Sequence, residues 1–189
     1  MERDFTVPDV DVAAFRRALG RFPTGVTVVT TVTPAGVPLG LTVSSFNSVS
    51  LTPPLIVWSL GLARASLPVF AACEYYAVNV LSQSQQAVSQ AFAGQRGDPF
   101  AAVSYVRGLG NVPVLEGCCA TFEVRNTHRH EGGDHLIFVG SVERARCSAS
   151  EPLVFHGGDY RALAIRPYPV ISPAAASTTA ASSEPTVVA

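Results

Sequence analysis

A mainly β fold, a small barrel with short flanking helices, is the fold class this chain predicts, and three observations carry it. Six or seven short β-branched or alternating runs lie between Gly and Pro turns, the strand pattern of an antiparallel sheet. One of those turns joins two long alternating runs into an evident hairpin. No internal repeat is present, and many strands of this kind normally close or nearly close to hide their edges.

Asp9 or Asp11 is placed to cap a first helix whose apolar positions Val12, Phe15, Ala18, Leu19 and Phe22 follow the helical repeat, with Gly20 and Pro23 marking its end. An amphipathic helix of this kind is expected to cover something. Residues 25–31 (GVTVVTT) and 40–43 (GLTV) read as a hairpin about the turn at 34–36. Residues 55–60 (LIVWSL) follow Pro53 and Pro54, and their nearly continuous apolarity predicts a strand buried on both faces. A short helix over 63–71, despite Pro68, precedes a strand at 75–81 (YYAVNVL). Ser82 caps a further helix in which Val88, Ala91 and Phe92 line one face. Residues 94–113 dissolve into Gly, Pro and isolated aromatics, a long loop of the sort that covers or binds something. Residues 118–131 and 135–147 form the clear hairpin about Gly132 and Gly133, and 153–155 and 161–165 flank the glycine turn HGGDY. The expected domain spans 1–169. Residues 170–189 hold no aromatic residue, little charge and no periodicity, and are expected to be a disordered tail.

The chain of 189 residues carries 13 Lys plus Arg against 14 Asp plus Glu, a net charge of −1. That leaves no long-range field for a phosphate backbone, so no nucleic-acid partner is expected. Charged residues make up 14% of the chain, against about 25% in ordinary domains. Such sparse charge favours a subunit interface or a covered cofactor surface over a small, weakly charged monomer. The four cysteines, Cys73, Cys118, Cys119 and Cys147, lack the dense spacing of a disulfide-built domain and fit a reducing cytoplasm. The first residues are acidic and mixed where a signal peptide is basic and then apolar. The longest apolar stretch, Leu55 to Ala63, is about half of what a membrane span requires, so no membrane association is expected.

Nucleophile elbows, dinucleotide glycine fingerprints and phosphate loops are all missing. His128, His130 and His135 invite a zinc reading, but the metal-ligand spacings are absent and the adjacent Cys118 and Cys119 point to opposite sides of a strand. No metal site is predicted, and His128 and His130 read as exposed residues at a hairpin end. The segment that stands out is TVSSFNSVSL, in which Thr42, Ser44, Ser45, Asn47, Ser48 and Ser50 surround the aromatic Phe46. A loop of that composition presents hydroxyls and backbone N–H groups to a planar heterocycle or a phosphate without bringing formal charge; the alternative is a Ser/Thr-rich surface connection.

Five segments in order resemble the short-chain flavin reductases that serve two-component flavin-dependent monooxygenases: FRRALGRFPTGVTVVTT, GLTVSSFNSVSLTPPLIVWSL, Ser66 followed by YYAVNVLS with Gln85 and Phe92, GDHLIFVGSV, and LVFHGGDYRAL. The resemblance covers about residues 12–166. It implies a split β-barrel of Greek-key, FMN-binding type, a homodimer, FMN or FAD as flavin, and NADH or NADPH as hydride donor. It also implies a partner monooxygenase that receives diffusing reduced flavin. By that resemblance Thr42, Ser44 and Ser45 reach the phosphate or ribityl chain, Val43 belongs to the same flavin-binding segment, and Asn47, Ser48, Val49, Ser50 and Leu51 run past the ring. Ala65 and Ser66 form the next flavin contact, while Ser82, Gln85 and Phe92 close the other side. His135, Gly158 and Tyr160 lie near the nicotinamide nucleotide. Relatives often carry an arginine in the turn where this chain has Asp159, which by charge would disfavour the 2′-phosphate of NADPH and so favour NADH. No side chain is expected to act as a nucleophile, since the cofactors carry the chemistry. A flavin-binding oxidase or oxygenase, or a non-catalytic flavin or haem carrier, are the alternatives on the same barrel.

Overall fold

The computed structural model describes residues 11–94 and 97–163. The expected boundary at 169 and the tail after it lie outside the described residues. Helix α1 (Val12–Leu19) starts where the Asp11 carboxylate accepts the Ala13 N–H. Strand β1 (Thr24–Gly25) is two residues long, and β2 (Thr27–Val32), β3 (Pro38–Val43), β4 (Asn47–Leu51) and β5 (Pro54–Gly61) follow. Next come α2 (Leu67–Ala72), β6 (Tyr75–Val80) and α3 (Gln86–Ala93). Pro68 is accommodated because it falls in the first turn of α2, where its missing N–H has no intrahelical partner to lose. The stretch expected to be a long loop instead carries two 3-10 turns and the small antiparallel pair β7 (Tyr105–Arg107) and β8 (Pro113–Leu115). The predicted long hairpin is β9 (Ala120–Gly132) with β10 (His135–Cys147), and the HGGDY turn joins β11 (Val154–His156) to β12 (Asp159–Arg161).

The main sheet has seven antiparallel strands in the order β3-β2-β6-β9-β10-β5-β4, and β1, β11 and β12 form a second, three-stranded sheet. This corrects the barrel expectation. The edge strands β3 and β4 are consecutive in the chain, yet no ladder joins them, so the sheet is open. Two features make closure unnecessary. Helix α3 lies against β3, where the Thr42 hydroxyl donates to the Ser89 carbonyl at 2.7 Å. Strand β4 is irregular in register between Ser48 and Ser50, the signature of a bulge that turns an edge away from pairing.

Burial on β5 alternates, with Ile56, Trp58 and Leu60 inside and Leu55, Val57 and Ser59 half-covered on the other face. The strand expected to be buried on both sides is therefore one-sided. That role falls to β2, buried from Thr27 to Thr31, because it separates two cores. In the first core Trp58 stacks on Phe138 at 4.4 Å and meets Phe70 and Tyr76 edge-on. The second gathers Val26, Val28, Leu81, Phe92, Phe100, Leu115 and Leu153. Asn79 links the layers: its amide donates to the Val28 carbonyl and the Thr30 hydroxyl, and its side-chain oxygen accepts the Leu115 N–H. Among the described residues no helix is long and apolar enough to cross a membrane.

Candidate functional site

The C-terminal half of β3 leads into a link, residues 44–46, in which the Phe46 ring turns inward against Phe122 at 5.6 Å. With its aromatic member anchored, the link leaves Ser44 and Ser45 exposed. Beside β3 stands α3. The absence of a side chain at Gly40 lets the Phe92 ring approach so closely that a Cβ on Gly40 would lie 2.7 Å from it. Between β3, the last turn of α3 and the turn at 62–66 lies a cavity of about 420 Å³, lined among others by Leu41, Thr42, Arg64, Ala65, Ser66 and Phe92. A second cavity of about 180 Å³ adjoins it, sharing Thr42 and Ala93 and lined further by Val43, Ser44, Ser89, Phe155 and Tyr160. The Tyr160 hydroxyl hydrogen-bonds the Ser89 hydroxyl at 2.9 Å and so ties the β11–β12 hairpin to α3.

Of the residues expected at the flavin, Thr42, Val43, Ser44, Ala65, Ser66 and Phe92 therefore meet around these two cavities, and Tyr160 joins them from the nicotinamide set. The rest stand elsewhere. TVSSFNSVSL is mostly strand: Asn47, Ser48, Val49, Ser50 and Leu51 are β4, beyond the cavities. Ser45 is a tie between strands, its hydroxyl donating to the Ser59 carbonyl and accepting the Ser59 N–H, both at 3.0 Å. Ser82 and Gln85 form a capping box at the opposite end of α3, and the Gln85 amide donates to the Glu116 carbonyl. Gly158 lies in the exposed turn, with φ at +88°, and its neighbour Gly157 donates its N–H to the Gly20 carbonyl.

His135 pairs with Gly61 across the β5–β10 ladder. A Cβ on Gly61 would lie 3.7 Å from the His135 ring and 4.0 Å from the Arg64 side chain, so His135 and Arg64 flank the same glycine, and Arg64 lines the larger cavity. The His135 Nδ1 bonds the Asp134 carboxylate at 2.7 Å. That hydrogen bond, with the charge of His135 behind it, holds the Asp134 carboxyl below the usual carboxylate range. His128 and His130 stack on each other, exposed, near the hairpin end. Burial pushes the Cys118 thiol up to about 12, which keeps it protonated and unreactive.

Arg64 is a residue of these cavities that sequence reasoning passed over. Among the described residues it is the one charged side chain lining the two cavities, and it makes no ion pair there. A signal was available, since Arg64 is the only charged residue between Arg21 and Glu74. Asp159 differs from expectation as well: its carboxylate is held by Arg161 at 2.6 Å, so the turn presents a neutralised pair rather than a bare negative charge. Ringed, among the described residues, by apolar walls, hydroxyls and the Arg64 cation, the adjoining cavities suit a flat heterocycle on a polar chain that ends in phosphate.

Comparison with known proteins agrees with that chemistry. Residues 19–164 match the family model described as flavin reductase like domain. The chain is 44% identical over 147 residues to an FMN reductase (NADH) of Agrobacterium fabrum, covering 78% of this chain and 83% of the relative. It is 35% identical over 154 residues to the reductase subunit of a flavin-dependent monooxygenase of Mycobacterium tuberculosis, covering 80% and 82%. Some longer relatives are spanned over about half of their length. Among solved structures, the NADH:FAD oxidoreductase of Streptomyces globisporus, in complex with NAD and FAD fragments, superposes with a TM-score of 0.80 at 37% identity, covering 86% of this chain and 98% of that one.

Proposed function

The chain belongs to the flavin reductase family and is an NAD(P)H:flavin oxidoreductase that passes hydride from NADH to FMN or FAD; on that premise we propose that the joined cavities between β3, α3 and the 62–66 turn hold the flavin. The observation that carries this reading is the convergence of Thr42, Ser44, Arg64, Ser66 and Phe92 on two cavities that share Thr42 and Ala93. When bound, the flavin ring accepts the hydride and the nicotinamide gives it.

What the chain contributes is binding and position. Arg64 and Ser66 suit the flavin phosphate, the first by charge and the second by its hydroxyl. Ser44, exposed and free of hydrogen bonds among the described residues, offers a hydroxyl to the ribityl chain. Thr42 has committed its hydroxyl to Ser89 and so presents its methyl group and backbone. The rings of Phe92, Phe155 and Tyr160 displace water from the walls. Among the described residues no carboxylate lines either cavity, so none of them repels negative charge gathering on the reduced ring. His135 and Tyr160, at the two flanks, suit the nicotinamide nucleotide. The β4 residues, Ser82 and Gln85 lie outside both cavities, and Ser82 and Gln85 hold the start of the α3 segment.

A homodimer and delivery of reduced flavin to a monooxygenase complete the reading. Exposed apolar side chains support the first: on α1 and just beyond it Val12, Phe15, Leu19 and Phe22, and on β4 Val49 and Leu51. The resemblance to a monooxygenase reductase subunit supports the second, and the four free thiols support a reducing cytoplasm. The test is anaerobic NADH and NADPH oxidation with FMN, FAD or riboflavin, with and without added flavin, followed by ultrafiltration. The reading expects oxidation that depends on added flavin and reduced flavin in the filtrate. Reduced flavin that stays with the protein points to an oxidase or oxygenase, and absent NADH oxidation to a carrier.

A further inference from the structure

We propose that Ser89 is a positioning residue for the nicotinamide nucleotide: its buried hydroxyl donates to Tyr160 and so fixes that phenol as a hydrogen-bond donor into the smaller cavity. The inference rests on the reading above, which sets the nicotinamide beside Tyr160. Ser89 lies on the inner face of α3, one turn before Phe92, and these two are the buried residues of that helix. Its side chain is fully covered, and its hydroxyl meets a single partner among the described residues, the Tyr160 hydroxyl at 2.9 Å. Its main-chain carbonyl meanwhile accepts the Thr42 hydroxyl at 2.7 Å. One residue thus ties β3 through its backbone and the β11–β12 hairpin through its side chain, and Thr42, Ser89 and Tyr160 all line the smaller cavity.

Burial decides the direction of the bond between the two hydroxyls. If Tyr160 donated, the Ser89 hydrogen would be left in the interior with no acceptor among the described residues, and stranding a buried donor costs more than a made hydrogen bond returns. If Ser89 donates, its hydrogen is matched, and the hydrogen left over is that of Tyr160, a half-buried residue beside the cavity, where a ligand can take it. The Phe155 ring, edge-on to Tyr160 at 5.6 Å, limits the swing of the phenol. What Tyr160 offers is then a fixed donor, and its complement is an acceptor. The carboxamide oxygen of nicotinamide is one. Tyr160 lines the smaller cavity and not the larger, and Arg64 the larger and not the smaller, so the donor stands on the flank away from the flavin phosphate. A hydrogen bond to the carboxamide fixes the rotation of the nicotinamide ring, and with it the place of the carbon that gives the hydride.

Steady-state kinetics with NADH and with thio-NADH, whose thiocarbonyl is a poor hydrogen-bond acceptor, test the proposal on the parent, Ser89→Ala, Tyr160→Phe and the double variant. Alanine keeps the main-chain carbonyl that holds Thr42, so flavin affinity by fluorescence quenching should stay within about twofold, which is also the control for folding. Ser89→Ala is expected to lower kcat/KM for NADH about threefold to fivefold and Tyr160→Phe about fivefold to tenfold, the range of one neutral hydrogen bond. The double variant is expected to be no worse than Tyr160→Phe, because Ser89 acts through the phenol. The parent's preference for NADH over thio-NADH is expected to shrink about threefold or more in Tyr160→Phe and in part in Ser89→Ala, which a loss of packing alone would not do. Should Ser89→Ala lose flavin as well, Ser89→Cys, which keeps an atom in place of the hydroxyl oxygen but donates weakly, carries the same expectation. NADH use unchanged in the Ser89 variants, losses that multiply in the double variant, or an unchanged ratio of NADH to thio-NADH use overturns the proposal. Loss of flavin binding in both Ser89 variants overturns it too, since the residue would then be structural, as does weakened flavin binding in Tyr160→Phe with NADH use intact, which would turn the phenol toward the flavin. Failure of the parent to bind flavin is a different result, since it removes the flavin cleft itself.

Discussion

Gly40→Ala is the smallest change that probes the cleft wall. The added Cβ would lie 2.7 and 2.9 Å from two carbons of the Phe92 ring and 3.2 Å from the Thr30 methyl. Carbon contacts relax near 3.5–4.0 Å, so about 1 Å of movement is required. Thr30 cannot yield, being fully buried and bonded to Asn79 and the Pro113 carbonyl. Phe92 must therefore move, although it is packed edge-on against Phe100 at 4.9 Å. Overpacking of this kind costs about 1–3 kcal/mol, which for a chain of this size lowers the melting temperature by roughly 3–10 °C. Because Phe92 lines the flavin cavity, flavin affinity should fall about fivefold or more. Gly25→Ala serves as control, since nothing stands within 4 Å of its added carbon and its φ is ordinary. Combining Gly40→Ala with Phe92→Leu should recover part of the stability loss, the coupling expected of residues in contact. Thermal melts followed by circular dichroism, paired with flavin titrations, give both readouts. A Gly40→Ala protein as stable as the parent and with unchanged flavin affinity would refute the assignment of this wall.

Ser45→Ala should lower stability by about 1 kcal/mol, the net value of an exchanged hydrogen-bond pair at an exposed site, while FMN affinity stays within twofold in the same titrations. Arg64→Ala should weaken FMN at least tenfold and leave riboflavin within about twofold, because riboflavin has no phosphate; equal losses for both flavins would place the guanidinium elsewhere. Asp159→Asn frees Arg161 from its partner and should raise the NADPH to NADH ratio of kcat/KM by about threefold to fivefold, a small effect because both side chains are exposed. The Asp134 carboxyl should titrate below its ordinary value in a carbon-detected NMR titration and move upward in His135→Ala. Its folded value is depressed, so any stability it lends is present above the unfolded value and is lost as pH falls through the folded one.

Much of the architecture was legible because its signals are local. The Gly132-Gly133 hairpin, the Asp11 cap and the Ser82 cap all follow from neighbouring residues. Sheet closure is different, since whether β3 meets β4 depends on α3 and on a register irregularity at Ser48 and Ser50 that no alternation pattern reveals. Strand β4 hid for a related reason. As an edge strand it keeps polar Asn47, Ser48 and Ser50 in contact with water, so it resembles a loop in composition. On β5, Leu55 and Val57 look buried by type, but their face of the sheet is only partly covered within one chain. At the site, the residues near the link were legible through composition, whereas Ser45 shows why composition is insufficient: its hydroxyl holds Ser59. Arg64 and Gly40 escaped because one ended an apolar run and the other sat inside a strand, and only the packing of α3 and the 62–66 turn gives them a common purpose.

A crystal structure of the protein soaked with FAD under reducing conditions tests the central claim most directly. The account predicts ring density between Tyr160 and Thr42 and phosphate density within hydrogen-bond distance of Arg64 and Ser66. Flavin density elsewhere, for instance in the cavity lined by Cys118, Arg146 and Cys147, with the β3–α3 cleft empty, would contradict it.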